Sequence, residues 1–252
     1  MITARTTVKH LKTIIGRIST AIDEAKMVFD AEGMRVKAVD PTHVMMLDMS
    51  VPADKWLEYV PAPDEREIGI DVKTMGNALK GARPADEVML SITPYVPDEG
   101  ESGKEGYKPA VPGKMVVSVN GATCDLSAVD TAGMSDPKLP AFNLPATARL
   151  PADPVFSALQ RAASVSDHVG LLISPGNGFS IRASGDQNRA DWAVGCDAEG
   201  ERATSLYSLD YLHDIIASLK GCDITIRMGT EYPIMIEGDG CKFLLAPRIE
   251  SE

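Results

Sequence analysis

The second half of the chain repeats the order of helix and strand patterns found in the first half. Amphipathic helix patterns occur at residues 9–22 and 71–83, and again at residues 153–165 and 208–220, with strand patterns after each. A repeat on this scale constrains the fold more than any single motif, because both copies must form similar units. The sequence therefore predicts an α+β protein with two similar domains, each having two helices and antiparallel strands.

Strand patterns in both halves are short β-prone runs bounded by turn residues. They occur at residues 26–30, 34–39, 44–51, 87–93, 114–120, 169–174, 179–183, 223–228, 234–237 and 242–245. Gly33 and Gly178 occupy equivalent turns, at residues 31–33 and 175–178. Asp71 is a suitable N-cap for the second helix, and Pro84 is expected to stop that helix.

Two proline-containing stretches divide the chain further. Residues 94–113 combine proline, glycine and charge, which predicts a long surface loop. Residues 126–143 contain prolines and have no clear period, which predicts an extended connector. The expected organisation is an N-terminal domain at residues 1–125, the connector at residues 126–143 and a C-terminal domain at residues 144–252.

Composition places the chain among globular proteins, because 44% of its 252 residues are hydrophobic and 24% are charged. No apolar run approaches the roughly 18 residues of a membrane span. The first twenty residues are interrupted by Lys9, Lys12 and Arg17, which is unlike a signal peptide. We therefore expect a soluble intracellular protein.

Few residue patterns suggest catalysis or metal binding. Ser166-Asp167-His168 has the residue types of a hydrolase triad, but sequence neighbours cannot adopt the relay geometry and no GxSxG elbow is present. Residues 103–105 lack the rest of a phosphate-binding loop. The four histidines and four cysteines have no metal-binding spacing, so free thiols are expected. We expect no enzymatic activity, no cofactor and no metal.

Positive charge is concentrated in two helical segments. Residues 9–22 and 72–83 contain six cations and no carboxylate, so the rest of the chain carries a net charge of −17 while the whole chain carries −11. An acidic protein repels polyanions in general, and a charged helix face is often only the solvated face. The segregation of the cations in an acidic chain nevertheless favours contact with phosphate.

Four stretches together resemble the sliding clamps of archaeal and eukaryotic replication, the proliferating cell nuclear antigen type. They are AVDPTHVMMLDMSVP at residues 38–52, IGIDVKTMGNALKGA at residues 68–82, YSLDYLHDIIASLKGCD at residues 207–223 and LAPRIE at residues 245–250. The resemblance covers essentially the whole chain. SLDYL and the connector sequence KLPAFNLPA are nearer to the archaeal members.

The resemblance implies a DNA clamp fold that assembles into a closed trimeric ring, with helices lining the hole and strands outside. Twelve helices at ~10 Å spacing form a circle roughly 38 Å across, which leaves a hole of about 28 Å once a helix diameter is subtracted. A DNA duplex, about 20 Å across, passes through such a hole with a layer of water. The implied function is that of a DNA polymerase processivity factor, which holds DNA by topology and by weak phosphate contacts.

By position, the resemblance assigns phosphate contacts to polar and basic residues of the four helices. These DNA-binding residues are Lys9, Lys12, Arg17, Lys73, Asn77, Lys80, Arg83, Arg161, His213 and Lys220. Asp210 and Asp214 lie among the outward positions of the last helix, so attraction in the second domain is expected to be weak.

The resemblance also implies a hydrophobic pocket that receives the short PIP motif of polymerases, flap endonuclease, DNA ligase and the clamp loader. The partner-binding residues are Val39, His43, Val44, Met46, Val129, Met134, Pro233, Leu244, Ala246, Pro247 and Ile249. Methionines and apolar residues beside backbone edges suit a groove that accepts several peptides. For Val44 and Leu244 an ordinary core position is an equally good interpretation.

In the family, an edge strand of one subunit pairs with an edge strand of the next, and residues 114–120 and 190–196 are the candidates here. Two alternatives stay open. The chain could be one subunit of a heterotrimeric or checkpoint-type clamp, or a small-ligand enzyme with a pocket between the duplicated units. The second would need a cluster of perturbed acids, histidines or cysteines, and the sequence shows none.

Overall fold

The computed structural model describes residues 1–93, 113–134 and 136–249, and it divides into two compact units. Unit 1 comprises Met1–Ala38 and Met49–Pro137, and unit 2 comprises Val39–Asp48 and Lys138–Glu252. Both units combine helices with strands that pair antiparallel, so the predicted α+β class is confirmed.

Unit 1 contains two helices and most of the first nine strands. Its elements are β1 (Ile2–Thr7), α1 (Val8–Ser19), β2 (Glu24–Asp30), β3 (Gly33–Val39), β4 (Met45–Pro52), a 3-10 turn (Ala53–Lys55), β5 (Glu58–Val60), β6 (Arg66–Asp71), α2 (Val72–Asn77), β7 (Glu87–Thr93), β8 (Lys114–Val119) and β9 (Ala122–Ser127). The chain passes from unit 2 back to unit 1 within β4.

The strands of unit 1 form one five-stranded sheet and one three-stranded group. The sheet has the order β5-β1-β7-β8-β9, and the group has the order β6-β2-β3. Gly33 closes the β2–β3 turn at a φ of 137°, and an added Cβ would lie 2.2 Å from the carbonyl oxygen of Val51. Only glycine fits this close approach of two backbones, as the turn pattern at residues 31–33 predicts.

Helix α1 follows the predicted apolar spacing. Leu11, Ile14, Ile15 and Ile18 are buried, while Lys9 and Lys12 are exposed on the other face. The backbone amides of Val8 and Lys9 donate to carbonyl oxygens of Asp86 and Pro84, at 2.8 and 2.9 Å. These bonds satisfy two of the free amides at the helix start.

Unit 2 contains the second pair of helices and the remaining strands. Its elements are β10 (Ala146–Pro151), α3 (Ala152–Ala162), β11 (His168–Ser174), β12 (Gly178–Ser184), β13 (Arg189–Val194), β14 (Asp197–Gly200), β15 (Ala203–Ser208), α4 (Leu209–Ser218), β16 (Asp223–Met228), β17 (Ile234–Gly238) and β18 (Cys241–Leu245). One sheet has the order β13-β12-β11-β15, and another runs β14-β10-β16-β17-β18 and continues to the start of β4.

Some elements differ from the sequence-based prediction. Helix α2 ends at Asn77, whereas the pattern predicted a helix to residue 83. Residues after Ala78 form turns, and Gly81 has a φ of 80°, which stops the helix before Pro84. Strand β1 was not predicted, because its alternating burial pattern is carried by Ala and Thr as much as by Ile. Most of the predicted loop at residues 94–113, with residues 103–105, lies outside the described residues.

The next statements on membrane spans, metal sites and cysteines apply only to the described part of the chain. No helix there is long and apolar enough to cross a membrane. No group of three or more His, Cys, Asp or Glu side chains there could hold a metal ion. Cys124, Cys196 and Cys222 are half-buried, Cys241 is buried, and all four are free thiols.

Candidate functional site

Four lysines form an exposed cationic surface on unit 1. Lys9 and Lys12 lie on α1, Lys73 lies on α2, and Lys80 lies in the turn that follows α2. Within the described residues, no carboxylate lies within 4.0 Å of any of these four ammonium groups. We call Lys9, Lys12, Lys73 and Lys80 the lysine set. Four unpaired cations on a chain of net charge −11 make this surface a candidate site for anions.

Side chains outside the helices cap the N-termini of α1 and α2. The Thr7 hydroxyl accepts a hydrogen bond from the His10 amide at 3.2 Å, and the Asp71 carboxylate accepts one from the Thr74 amide. That bond is the main reason that the pKa of Asp71 lies below its usual value. Neither helix has an acidic residue in its first turn, and the Asp71 carboxylate that precedes α2 is held by the Thr74 amide.

Arg17 and Arg83 differ from the lysine set. Arg17 is only 5% exposed, because its position on α1 borders the buried stripe that includes Ile14 and Ile18. This burial contradicts the predicted phosphate contact at Arg17. Arg83 is exposed but pairs with Asp86 at 3.2 Å, and a hydrogen bond from Asn120 at 2.7 Å is the main cause of a lowered pKa at Asp86.

The helices of unit 2 carry fewer free cations. The Lys220 ammonium lies 4.2 Å from the centre of the Phe156 ring, and the His213 ring lies 5.0 Å from the same ring. Asp210 and Asp214 are exposed on α4. Arg161 is exposed on the last turn of α3. The structure thus supports the expectation that positive charge is weaker here than in unit 1.

The end of the chain is held against unit 2 by backbone hydrogen bonds. The Ala246 amide donates to the Val44 carbonyl at 2.9 Å, and the Arg248 amide donates to the Leu206 carbonyl at 2.7 Å. The Arg248 guanidinium also pairs with Asp167 at 3.2 Å. After these anchors, Ile249 is 87% exposed. A tail that is fixed by its backbone while presenting an isoleucine to solvent is a candidate binding surface.

The loop between β3 and β4 lies beside this tail, because Val44 accepts the Ala246 amide. Asp40 is 4% exposed, and its Oδ1 accepts hydrogen bonds from the amides of Val44 and Met45 at 2.7 and 2.6 Å. His43 is exposed and adopts a φ of 59°, a left-handed conformation that costs energy in any residue except glycine. The Asp40 carboxylate stabilises this turn.

The predicted partner-binding residues differ in exposure. Val39, Val44, Met46, Pro233, Ala246 and Pro247 are half-buried in unit 2, and Val129 and Met134 are half-buried in unit 1. Leu244 is 6% exposed, which places its side chain in the core of unit 2 and contradicts a role at the pocket surface. Ile234 pairs with Leu245 at the end of the β17–β18 ladder, and Pro233 and Ala246 are the residues next to this pair in sequence.

Sequence reasoning missed an exposed aromatic pair. Phe142 and Tyr232, both in unit 2, contact each other edge to face with ring centres 6.4 Å apart. Tyr232 precedes Pro233, and its carbonyl accepts a hydrogen bond from the Tyr207 hydroxyl at 2.8 Å. Sequence alone gives no signal for the pair, because Phe142 lies in the unpatterned connector and exposed aromatics resemble buried ones in a sequence.

One predicted edge strand is wrong. Strand β8, which corresponds to residues 114–120, is paired on one side with β7 and on the other with β9. Strand β9 is the edge of that sheet, and β13 is the edge of the β13-β12-β11-β15 sheet. In the part of the chain that the structure describes, no strand pairs with the outer side of either β9 or β13. Both are available for pairing with another chain.

Ser166, Asp167 and His168 do not form a catalytic relay. The Asp167 carboxylate and the Ser166 hydroxyl both contact Nδ1 of His168, at 2.6 and 3.2 Å. A triad needs the acid and the nucleophile on opposite ring nitrogens. Hydrogen bonds from His168 and then Arg248 lower the pKa of Asp167, which is the carboxylate that holds the chain end.

Comparison with known proteins agrees with this architecture. Residues 1–95 match the family model of the proliferating cell nuclear antigen N-terminal domain. The DNA polymerase sliding clamp of Methanosarcina mazei is 32% identical, with 96% of each chain covered. A structure of A. fulgidus PCNA bound to the C-terminal region of FEN-1 is 29% identical with a TM-score of 0.85, and it covers 100% of both chains.

A second solved structure, PCNA from Thermococcus kodakaraensis, has a TM-score of 0.81 at 22% identity, with 98% of this chain and 100% of that chain covered, and it shows the same fold. The two α+β units therefore have the architecture of the DNA clamps. The chain belongs to the DNA polymerase sliding clamp family of the proliferating cell nuclear antigen type, and its curated relatives are archaeal. The predicted resemblance and fold class are confirmed.

Proposed function

We propose that three copies of this chain close into a ring around duplex DNA and hold a DNA polymerase and other replication and repair enzymes on it. The lysine set carries this proposal, because these four cations are exposed and unpaired on α1, on α2 and in the turn after α2, in a chain of net charge −11. Contacts made only to phosphate bind every sequence alike and allow the ring to slide. The ring acts in the cytoplasm beside the nucleoid.

The proposed DNA contacts are ranked by whether each cation already has an interaction partner in the protein. Lys9, Lys12, Lys73 and Lys80 are the main contacts, with Asn77 beside them. Arg83, Arg161, His213 and Lys220 contribute less, because Arg83 is paired with Asp86 and the last two pack on Phe156. Arg17 is left out, since its guanidinium is buried.

Ring closure is proposed to pair β9 of one subunit with β13 of the next. Both strands have an unpaired outer side in the described chain, and pairing them would cover two aggregation-prone edges in each subunit. We propose the domain limits 1–125 and 144–252, with residues 126–143 as the connector between them. The protein has no catalytic role in this proposal, because it acts by encircling DNA and by presenting a docking surface.

The docking surface is proposed to take the PIP motif of partner enzymes, as the complex of A. fulgidus PCNA with the C-terminal region of FEN-1 suggests. The anchored tail with its exposed Ile249 and the loop with His43 and Val44 support this proposal. The other contributing residues of unit 2 are Val39, Met46, Pro233, Ala246 and Pro247, and the roles of Val129 and Met134 in unit 1 stay predictions from the resemblance. The proposed partners are DNA polymerase, the clamp loader, flap endonuclease and DNA ligase.

Native mass spectrometry of the purified chain tests ring assembly. The chain has a mass of 26.9 kDa, so a homotrimer has a mass of about three times that value. A trimer supports the proposal. A stable monomer contradicts it, and a monomer that assembles only with a second type of clamp subunit indicates a heterotrimeric ring instead.

Ile249→Glu tests the docking surface. A carboxylate at this exposed position is expected to abolish binding of a synthetic peptide from the C-terminal region of FEN-1, measured by fluorescence anisotropy, and to leave the trimer intact. Leu57→Glu is the matched control, because Leu57 is an exposed apolar residue of unit 1 outside the proposed surface. Loss of the trimer in Ile249→Glu would show that the tail takes part in assembly instead.

A further inference from the structure

The Asp40 carboxylate receives hydrogen bonds from two separate parts of unit 2. Oδ1 accepts the amides of Val44 and Met45, as described above. Oδ2 accepts the Thr42 amide at 3.1 Å, the Thr42 hydroxyl, and the hydroxyl of Tyr211 at 3.0 Å. Tyr211 lies on α4, 171 residues away in sequence, so one tyrosine hydroxyl connects this helix to the loop between β3 and β4.

The hydroxyls of Thr42 and Tyr211 also contact each other at 2.8 Å, so the two form a small network around Oδ2. Burial of Asp40 opposes ionisation, but hydrogen bonds from Thr42, Met45 and Tyr211 outweigh that effect and hold the pKa of Asp40 below its usual value. Asp40 is therefore charged at neutral pH. Hydrogen bonds to a charged group are stronger than those between neutral groups. The hydrogen bond from the Tyr211 hydroxyl therefore helps to fix the orientation of the Asp40 carboxylate.

The shape of the loop depends on where this carboxylate lies. The backbone at His43 is left-handed, and the next two amides are held by Oδ1. If the carboxylate rotates, those two amides lose their acceptor and the turn at His43 relaxes. His43 and Val44 would then no longer be presented in a fixed position beside Ala246.

We propose that Asp40 and Tyr211 are positioning residues for partner binding: the hydroxyl on α4 orients the carboxylate that sets the conformation of residues 40–45. This inference rests on the docking surface proposed above. It assigns to α4 a second task, distinct from any contact of that helix with DNA. A pre-formed loop raises peptide affinity, because the ordering cost is met before binding.

Tyr211→Phe is the principal test, since it removes one hydroxyl and keeps the ring. With the FEN-1 C-terminal peptide as probe, we expect affinity to fall more than about tenfold, the effect of losing one hydrogen bond to a charged group. Tyr59→Phe is the matched control. The Tyr59 hydroxyl donates to the carbonyls of Asp30 and Gly33 in unit 1, so its loss costs stability without touching the loop.

A second pair of variants separates positioning from general stability. Thr42→Ser keeps the hydroxyl at Oδ2 and should keep wild-type peptide affinity, whereas Thr42→Val should lose affinity about as much as Tyr211→Phe. Amide hydrogen exchange gives an independent readout, because the Val44 and Met45 amides should exchange faster in Tyr211→Phe and not in Tyr59→Phe.

Unchanged peptide affinity in Tyr211→Phe overturns the inference, and so does an equal loss in Tyr59→Phe. Failure of the wild-type chain to bind the peptide has a different meaning. That result would overturn the proposed docking surface itself, and this inference with it.

Discussion

The two pairs of helices are built alike but differ in charge and capping. Helices α1 and α2 have side-chain N-caps, Thr7 and Asp71, and no acid in the first turn. Helices α3 and α4 have no side-chain cap and instead place Asp153 and Asp210 in the first turn. A first-turn carboxylate stabilises a helix through its dipole, and a capping side chain does so by accepting an amide hydrogen bond.

The difference shows how unit 1 keeps carboxylates out of α1 and α2 themselves. Its caps precede the helices, and the one carboxylate among them, Asp71, accepts the Thr74 amide. The helices of unit 2 instead carry Asp153 and Asp210 in their first turns. The Asp153 carboxylate also accepts a hydrogen bond from the Gly221 amide at 3.0 Å. We therefore expect most of the attraction for DNA to come from unit 1, and four predictions test this contrast.

Replacing Lys9, Lys12, Lys73 and Lys80 by alanine together should weaken binding to a short duplex more than tenfold at low salt. Each lost phosphate contact should also reduce the slope of log affinity against log salt by about 0.9. Arg161→Ala with Lys220→Ala is the comparison from unit 2, and its effect should be several times smaller. DNA affinity is measured by fluorescence anisotropy over a salt series. Equal losses of affinity in the two variants would show that unit 1 does not supply most of the attraction for DNA.

Thr7→Ala should reduce the free energy of unfolding by about 1 kcal/mol, because the His10 amide loses its acceptor. Thr13→Ala is the control on the same helix. The Thr13 hydroxyl donates to the Lys9 carbonyl one turn earlier, and alanine is the better helix former, so that change should be neutral or slightly stabilising. Urea unfolding of both variants checks this, and an equal effect would argue against a capping role for Thr7.

The double variant Asp210→Asn and Asp214→Asn should make the charge on the helices of unit 2 resemble that of unit 1. Removal of two exposed carboxylates from α4 should strengthen duplex binding severalfold at low salt, and the gain should disappear as salt is raised. Asp210→Asn also loses its favourable interaction with the helix N-terminus, about 0.5 kcal/mol. No gain in DNA affinity would mean that α4 does not face DNA.

The smallest expected effect separates a paired cation from a free one. Lys80→Ala should lower the salt slope by about 0.9, whereas Arg83→Ala should lower it by less, because Arg83 already pairs with Asp86. The Arg83 side chain is exposed, and in Arg83→Ala the Asp86 carboxylate keeps its hydrogen bonds from the residue 83 amide and Asn120, so neither variant should unfold more easily. A larger reduction of the salt slope in Arg83→Ala than in Lys80→Ala would show that the Arg83–Asp86 ion pair breaks when DNA binds.

The sequence predicted those parts of the fold that depend on periodicity. The apolar stripe of α1 and the glycine turn at Gly33 both follow from local pattern, and the duplication followed from comparing the halves. Helix α2 was drawn too long because Leu79 and Lys80 continue the helical spacing into a turn. Strand β8 was taken for an edge because the order of strands in a sheet depends on tertiary pairing, which a single sequence does not show.

The basic residues of the candidate site could be predicted from the sequence. The side chains whose positions depend on contacts between distant residues could not. The basic segments could be read directly, but the burial of Arg17 depends on how α1 packs. The link between Asp40 and Tyr211 joins residues far apart in sequence, and no local signal indicates it. The turn sequence Asp-Pro-Thr-His could have suggested that the Asp40 side chain accepts nearby amides, as aspartate often does in turns.

The central claim is that the protein holds DNA by encircling it, and retention on closed DNA tests this most directly. The chain is loaded onto a nicked plasmid by its clamp loader ATPase with ATP, the complex is separated by gel filtration at physiological salt, and the plasmid is then cut once. We predict that the protein stays with the circle and is released from the linear form. Equal retention on circular and linear DNA would contradict the account.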